Sequence, residues 1–151
     1  MSRLRPPDAK FFQTLYDLGL GPLVGRVILL LSTTGRKSGL QRLTALQYEE
    51  IDGAYYLGSS LGTRADWYRN LAAQPRVQVR VKDRQFTGLA ETVTDPERIA
   101  DFLEIRLKRQ PRMVGMILKS EGMPQHPSRT ELEYYAHKLA MVIIRPEQVG
   151  E

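Results

Sequence analysis

Cysteine is absent from the 151-residue sequence, which excludes disulfides, thiolate metal ligands and a cysteine nucleophile. Histidine is scarce, and neither His126 nor His137 has carboxylates at the spacing that a metal site requires, so no metal site is predicted. No apolar run approaches the roughly 18 residues that span a bilayer, and the N-terminus lacks the apolar segment of a secretory signal. We therefore expect a cytoplasmic protein.

Basic residues outnumber acidic residues by 22 to 17, and the resulting net charge of +5 favours an anionic partner. Phosphorylated cofactors, lipid headgroups and nucleic acids all meet that description. Single-strand binders interleave aromatic and basic residues along a sheet, but the sequence contains neither that arrangement nor an RNP-like or zinc-finger pattern. A nucleic-acid partner is therefore not predicted.

Hydrophobic periodicity and turn residues predict a single domain over residues 1–151. Strands are predicted over about residues 26–33, 42–49, 54–59, 77–81 and 139–144. Another strand is predicted after the turn at residues 83–84 and runs through residues 91–93. Helices are predicted over about residues 8–18, 66–71, 94–109 and 111–119, with a last helix opening at 128. Hairpins come first, helices follow and one strand returns, so alternating βα units are absent. This order predicts an α+β fold, an antiparallel barrel of about six strands with flanking helices.

Local signals set several of these boundaries. The Asp52-Gly53 pair predicts a two-residue hairpin. Asp66 is predicted to be the N-cap of the second helix, and Thr94–Glu97 contains the pattern of a capping box. Ser128–Glu131 predicts the start of the last helix.

The most informative segment is the turn that follows the first predicted strand. In Gly35-Arg36-Lys37-Ser38-Gly39, two glycines bracket two cations and a hydroxyl, so the chain can turn sharply and expose backbone N–H groups. These groups are suited to holding a phosphate or a carboxylate. Two interpretations remain open from the spacing alone: an anion-binding turn, or an ordinary hairpin turn with solvated cations.

Two motifs in the expected order resemble a known family. Leu31–Gly39, followed by Arg42–Leu46, resembles the first signature of the deazaflavin (F420)-dependent nitroreductase family. Asp66–Pro75, followed by Val77–Val79, is similar to its second signature. The resemblance implies a split β-barrel of the flavin-reductase type that binds the reduced 5-deazaflavin coenzyme F420.

The sequence departs from the family pattern at two places. Ala45 stands where members usually have proline. The C-terminal segment His137–Val142 lacks the arginine and the Ile-Pro pair that members commonly carry before the last strand. Substrate contacts of the family lie in that C-terminal half, so the resemblance indicates the coenzyme more firmly than the acceptor.

The resemblance implies roles for a set of cofactor-binding residues. F420 carries a phosphodiester and an oligoglutamate tail, and the cations and N–H groups of the 35–39 turn are suited to those charges. The loop after the third strand is expected to present donors to the ring, and the start of the following helix adds a favourable dipole. The predicted cofactor-binding residues are Thr34, Gly35, Arg36, Lys37, Ser38, Gly39, Arg42, Ser59, Ser60, Asp66 and Trp67. The alternative for Arg42 is a solvated position on a strand, and the alternative for Trp67 is packing in the core.

The implied reaction is hydride transfer from reduced F420 to an electron-poor acceptor such as a quinone, an activated alkene or a nitro compound. Tyr134 and Tyr135 are the candidates for donating a hydrogen bond or a proton to the acceptor. Because they are adjacent on a helix, only one is expected to face it, and Tyr135 is preferred. Two alternatives stay open: an FMN-dependent reductase on the same barrel, and a non-catalytic protein that binds a cofactor or a lipid. Peripheral membrane contact through the N-terminal helix and a homodimer are further expectations.

Overall fold

Seven antiparallel strands form one sheet in the computed structural model, which describes residues 8–124 and 126–147. The strands are β1 (Ile28–Thr34), β2 (Gln41–Gln47), β3 (Glu49–Ile51), β4 (Ala54–Ser59), β5 (Arg76–Val81), β6 (Arg84–Val93) and β7 (Ala140–Pro146). They lie side by side in the order β2-β1-β5-β6-β7-β4-β3. The predicted α+β fold with an antiparallel sheet is confirmed, while both ends of the predicted 1–151 domain lie outside the described residues.

Tyr48 divides the long second strand that the sequence predicts over residues 42–49, which is why the sheet has seven strands rather than about six. β2 and β3 are consecutive in the chain, yet they lie at opposite ends of the sheet order, so the sheet curls until its ends approach each other. Tyr48 is buried at this point: its ring centroid lies 5.7 Å from that of Tyr55, and its hydroxyl donates to the Gly25 carbonyl. The result is a curled half-barrel.

The N-terminal helix changes its hydrogen-bonding type before it ends. α1 (Ala9–Leu15) passes into a π-helical turn over Tyr16–Leu20, and a second short helix, α2 (Gly21–Val24), follows. Gly19 interrupts the helical backbone with a φ of 86°, a value that glycine adopts without strain. The predicted helix over residues 8–18 is therefore confirmed up to its break at Gly19, with a change from α-helical to π-helical hydrogen bonding at Tyr16.

Four further α-helices lie later in the chain: α3 (Asp66–Ala73), between β4 and β5, and then α4 (Pro96–Arg109), α5 (Pro111–Ser120) and α6 (Arg129–Ala136), between β6 and β7. The predicted capping box of α6 is confirmed, since Ser128 Oγ accepts from the N–H of Glu131 at 3.2 Å and the Glu131 carboxylate accepts from the N–H of Ser128 at 2.9 Å. Among the described residues, no helix has both the length and the apolar character needed to cross a bilayer.

Two predicted N-caps are wrong by one residue. Ala65 is the N-cap of α3, so Asp66 is its first helical residue. Asp95 rather than Thr94 is the N-cap of α4, and its carboxylate accepts from the N–H of Glu97 at 3.1 Å. The proline that follows Asp95 favours the first helical position, and this fixes the cap at Asp95.

β7 separates two hydrophobic cores. Val142 and Ile144 pack inside the barrel, whereas Met141 and Ile143 pack in a second core that also contains side chains of α4, α5 and α6. This alternation follows from the two-residue period of a strand. Because both faces are covered, the whole apolar run is buried. The helices α4, α5 and α6 lie against the outer face of the sheet beside β4 and β7.

Candidate active site

The turn between β1 and β2 is closed by its own backbone. The N–H of Gly35 donates to the Leu40 carbonyl at 2.8 Å, and the N–H of Gly39 donates to the Gly35 carbonyl at 2.8 Å. Ser38 Oγ accepts from the N–H of Leu40 at 3.2 Å. A side chain at position 35 would place its Cβ 2.6 Å from Ser38 Oγ, so only glycine leaves room for this arrangement.

Arg36 docks this turn onto α3. Its Nη1 donates to Asn70 Oδ1 at 2.7 Å, and its backbone N–H donates to the same oxygen at 3.2 Å. Its Nη2 lies 3.2 Å from Asp66 Oδ1, an ion pair in which the arginine side chain is 25% exposed and the aspartate 87%. Asp66 is available for this pair because Ala65 is the N-cap. The two signature motifs therefore meet at one guanidinium.

Asn70 is a site residue to which the sequence interpretation gave no role. Its side chain is buried, and its Nδ2 donates to Thr33 Oγ1, itself fully buried, at 3.5 Å. Asp66 and Asn70 are four positions apart on α3 and so share one helical face. That spacing is the signal that could have identified Asn70 as a second partner for the cationic turn.

The turn and α3 enclose a cleft of about 400 Å³. Three cations and one carboxylate lie on its walls, beside two hydroxyls, one side-chain amide and a tryptophan that is 7% exposed. Its lining residues are Gly35, Arg36, Lys37, Ser38, Arg42, Thr44, Asp66, Trp67 and Asn70. An excess of positive charge beside backbone N–H groups suits the cleft to an anionic ligand.

Thr34 and Gly39 belong to the turn but do not line this cleft. The Thr34 hydroxyl accepts from Gln41 Nε2 at 3.0 Å, across the end of the hairpin. Gly39 has a φ of 72°, so it supplies the left-handed position that closes the turn. Both residues therefore shape the turn, and direct contact with a ligand stays a prediction for each.

Ser59, Ser60 and Tyr135 lie at a second, smaller cavity of about 90 Å³. The Ser59 hydroxyl donates to the Gly62 carbonyl at 2.7 Å and is buried, whereas Ser60 is exposed. Burial, with a smaller contribution from Glu121, raises the pKa of Tyr135 to about 12, so its hydroxyl stays a donor at neutral pH. The structure thus places the predicted ring-contacting serines beside Tyr135, at a cavity other than the cleft of the cationic turn.

Tyr134 points away from both cavities. Its side chain is 72% exposed, whereas the neighbouring Tyr135 is half-buried against the second core. This difference follows from their adjacent positions on α6, which turn the two rings to different sides of the helix. Of the two tyrosines, Tyr135 alone lines one of these two cavities.

A family model described as F420H(2)-dependent quinone reductase matches residues 15–114, well over half of the chain. This chain belongs to the F420H(2)-dependent quinone reductase family. The matched range contains the cationic turn, α3 and both signature motifs, so the resemblance seen in the sequence is confirmed. The C-terminal residues that carry Tyr134 and Tyr135 lie outside it.

Similar proteins support the family and the fold. The F420H(2)-dependent quinone reductase Rv1261c of Mycobacterium tuberculosis is 38% identical over 74 residues, which are 46% of this chain and 50% of the relative. The chain thus spans about half the length of the curated relatives it matches. The solved structure of the conserved hypothetical protein Rv2991 from Mycobacterium tuberculosis superposes with a TM-score of 0.59 at 20% identity, over 88% of this chain and 80% of the other.

A structure described as an F420 reductase superposes with a TM-score of 0.52 at 19% identity, over 81% of this chain and 87% of the other. At such low identity the two structural similarities concern the fold alone. They confirm the predicted split-barrel architecture.

Proposed function

We propose that this chain is an oxidoreductase that transfers a hydride from reduced F420 to an electron-poor acceptor of the quinone class. The observation that carries the proposal is the family match over residues 15–114, which contains a cleft with three cations on its walls. Nitro compounds and activated alkenes are the other acceptors that share the required electron deficiency.

The donor set of the cleft fits the polyanionic end of F420. A phosphodiester and a glutamate tail need several cations and N–H donors, and the cleft offers Arg36, Lys37 and Arg42. Asn70 and Asp66 orient the guanidinium of Arg36 in advance, which lowers the entropy lost on binding. Lys37 is exposed and has no ion-pair partner within residues 8–124 and 126–147, so its charge is available to a ligand.

The bound coenzyme supplies the hydride, and the residues of the chain supply binding, orientation and hydrogen bonds. Arg36 and Lys37 hold the anionic end, while Ser60 presents a donor near the second cavity. Tyr135 keeps its proton at neutral pH and can donate a hydrogen bond to an acceptor oxygen. Tyr134, which is exposed, has no role in this proposal.

The decisive experiment is an anaerobic titration of the wild type with reduced F420 and, separately, with FMN. The Arg36→Ala/Lys37→Ala variant removes two cations of the cleft, and Lys108→Ala/Arg112→Ala removes two exposed cations of α4 and α5 as a matched control. We expect the first variant to weaken F420 binding by roughly tenfold or more, since each 1.4 kcal/mol is about tenfold. The control should bind as the wild type does.

Unchanged F420 affinity in the Arg36→Ala/Lys37→Ala variant would contradict the assignment of the cleft. Tighter binding of FMN than of F420, with turnover that depends on FMN, would favour the alternative reductase. Binding of F420 without reduction of any quinone or nitro compound would favour the non-catalytic alternative. The homodimer and the membrane contact stay predictions, which sedimentation and liposome flotation would measure.

A further inference from the structure

The second cavity combines apolar walls with two polar groups. α4, α5 and α6 supply most of the apolar wall, which includes Phe102, Leu103 and Ile117. Arg106 of α4 and Tyr135 of α6 are its long polar side chains. A guanidinium in such surroundings is costly unless it is paired, so the way in which Arg106 is held indicates what the cavity can do.

Glu49 holds Arg106 from the short strand β3. Arg106 Nε lies 3.4 Å from Glu49 Oε2, and Arg106 Nη2 donates to Gln47 Oε1 at 2.8 Å. The arginine side chain is 13% exposed and that of Glu49 is 5% exposed. Burial lowers the pKa of Arg106 while Glu49 opposes that effect, and a guanidinium stays charged throughout the ordinary pH range.

Glu49 has more than one cationic partner. Its carboxylate also accepts from Arg109 Nη1 at 3.4 Å and from Gln110 Nε2 at 2.7 Å. One carboxylate thus faces two guanidinium groups, of which Arg109 is the more exposed. Arg106 therefore shares its carboxylate with a second cation, and its guanidinium is held in place by Glu49 and Gln47.

Two donors at the cavity remain available to a ligand. Arg106 Nη1 and the Tyr135 hydroxyl form no hydrogen bond with any residue that the structure describes. Within the same residues, no fully buried side-chain nitrogen or oxygen lacks a partner, so these two atoms, on side chains that line the cavity, each keep some contact with solvent. Both atoms can donate a hydrogen bond to an acceptor oxygen, such as the carbonyl oxygen of a ligand.

We propose that this cavity is the acceptor subsite, in which the ring edge of a quinone-class acceptor packs on the apolar wall and its oxygen accepts hydrogen bonds from Arg106 and Tyr135. The inference rests on the proposed function and adds to it the place where the acceptor binds. Arg106 is then a residue that determines specificity, and Glu49 is the residue that positions it.

The size of the cavity limits the part of the acceptor that enters. A cavity of about 150 Å³ binds benzene, so the cavity here, about 90 Å³, admits the edge of one ring. Gly58 and Ser60 line the cavity and are exposed, so the remainder of a larger acceptor extends to the surface. Ser60 lies in the same segment, Ser59–Trp67, that continues to the cleft of the cationic turn.

The charge at the cavity suits the chemistry of the acceptor. A quinone that becomes a hydroquinone takes up two electrons with one hydride and one proton from solvent, and negative charge develops on its oxygen. A fixed guanidinium stabilises that charge where it appears. The high pKa of Tyr135, about 12, makes this phenol a hydrogen-bond donor rather than a ready source of the proton.

The test compares binding of menadione with that of 2-methylnaphthalene, a hydrocarbon of similar shape without acceptor oxygens, by ligand-observed NMR and without coenzyme. The variants are Arg106→Met and Tyr135→Phe, and Arg98→Met on the exposed side of α4 is the matched control. We expect menadione to bind at least tenfold more weakly to Arg106→Met, with a smaller loss in Tyr135→Phe. Binding of the hydrocarbon and the affinity for F420 should not change in either variant.

Glu49→Gln tests positioning. It keeps the size of the side chain and an acceptor oxygen but no longer fixes Arg106 by charge, so we expect both a raised KM and a lowered kcat for menadione, because the guanidinium contacts the acceptor and stabilises the charge that develops on it. Thermal melting of every variant separates loss of binding from loss of folding, and Tyr135→Phe keeps the test usable if Arg106→Met does not fold.

Equal menadione affinity in wild type, Arg106→Met and Tyr135→Phe would overturn the inference. So would a wild type that binds the two probes equally well. A different result would contradict the proposed function alone. If the wild type binds menadione through Arg106 but neither binds F420 nor reduces quinones, the subsite is supported and the proposed reaction is contradicted.

Discussion

The side-chain oxygen of Asn70, Oδ1, is the residue-scale feature on which the cationic turn depends. It accepts hydrogen bonds from both the backbone and the side chain of Arg36, and it does so from a buried position on α3. A buried acceptor shared by two donors fixes the turn and the direction of the guanidinium at the same time. Loss of this oxygen would leave the Arg36 N–H and Nη1 without their partner.

We predict that Asn70→Ala lowers the free energy of unfolding by about 1–3 kcal/mol, the cost of leaving such donors unsatisfied. It should also weaken F420 binding, because Arg36 is no longer held in the cleft. Urea unfolding and the anaerobic titration measure the two effects. Arg69→Ala, an exposed position on the same helix, is the control and should change neither. A variant that is as stable as the wild type would show that Asn70 does not hold the turn.

The role of Asn70 was missed because its contact joins residues 34 positions apart, and its spacing from Asp66 on α3 is the one local signal that pointed to it. Arg36 and Lys37 were identifiable because glycines, cations and a hydroxyl occur together in one short turn. Arg106 was missed for the same reason as Asn70: its partner Glu49 is 57 positions away, on a strand that the sequence pattern did not separate from β2. Local patterns identify what a turn can bind, whereas the residues that orient it depend on tertiary contacts.

At the scale of elements, the start of α4 shows how two adjacent cap signals compete. Thr94 and Glu97 have the spacing of a capping box, but Asp95 is the residue whose side chain accepts from the helix N–H of Glu97. Pro96 decides between them, because proline is favoured at the first helical position and its φ is already helical there.

We predict that Asp95→Ala lowers the free energy of unfolding by about 1 kcal/mol, the usual cost of losing an N-cap side chain. Thr94→Ala, the matched neighbour, should stay within about 0.5 kcal/mol of the wild type, as is usual for exposed positions. Urea unfolding of both variants measures the difference. An equal loss in both would restore Thr94 as a contributor to the cap.

The division of β2 from β3 is the element-scale feature that sequence periodicity missed. The apolar and polar residues of 42–49 fit the pattern of one continuous strand, and no glycine or proline in this range marks a break. Tyr48 turns inward, packs on Tyr55 and directs the chain to the far end of the sheet. This division also places Glu49 opposite α4, where it meets Arg106. The closure of the half-barrel therefore also positions Arg106, a side chain that lines the second cavity.

At the scale of the whole molecule, the two proposed ligands should respond differently to salt. Three cations line the cleft and the chain carries a net charge of +5, so the protein attracts a polyanionic coenzyme electrostatically. Dissolved salt screens this attraction and reduces its range. The Debye length falls from about 30 Å at 0.01 M to about 3 Å at 1 M. A neutral quinone bound in an apolar cavity experiences no such long-range attraction.

We therefore predict that F420 affinity falls several-fold as the ionic strength rises from about 0.05 to 0.5 M, a range in which exposed charges become screened. Menadione affinity should change little over the same range. Titrations at four or five salt concentrations measure both. A parallel loss for the two ligands would contradict the assignment of the coenzyme to the charged cleft and the acceptor to the apolar cavity.

The buried tyrosines give the whole molecule a predictable response to alkali. Burial raises the pKa of Tyr16, Tyr48 and Tyr55, and it raises that of Tyr135 to about 12. In the unfolded chain these phenols ionise near pH 10. Between that pH and their folded-state values, the unfolded chain has fewer bound protons than the folded protein, so the free energy of unfolding falls as pH rises.

We predict full stability below about pH 10 and a progressive loss above it, as pH rises through the folded-state pKa values. Urea unfolding at intervals from pH 8 to pH 11 measures the slope. Tyr48→Phe removes a phenol with a strongly raised pKa, so its slope above about pH 10 should be shallower even though the loss of its hydrogen bond to Gly25 lowers stability at every pH. Tyr134→Phe, which changes an exposed ring, should keep the slope of the wild type. If Tyr48→Phe keeps that slope as well, the pKa of Tyr48 does not contribute to the loss of stability at high pH.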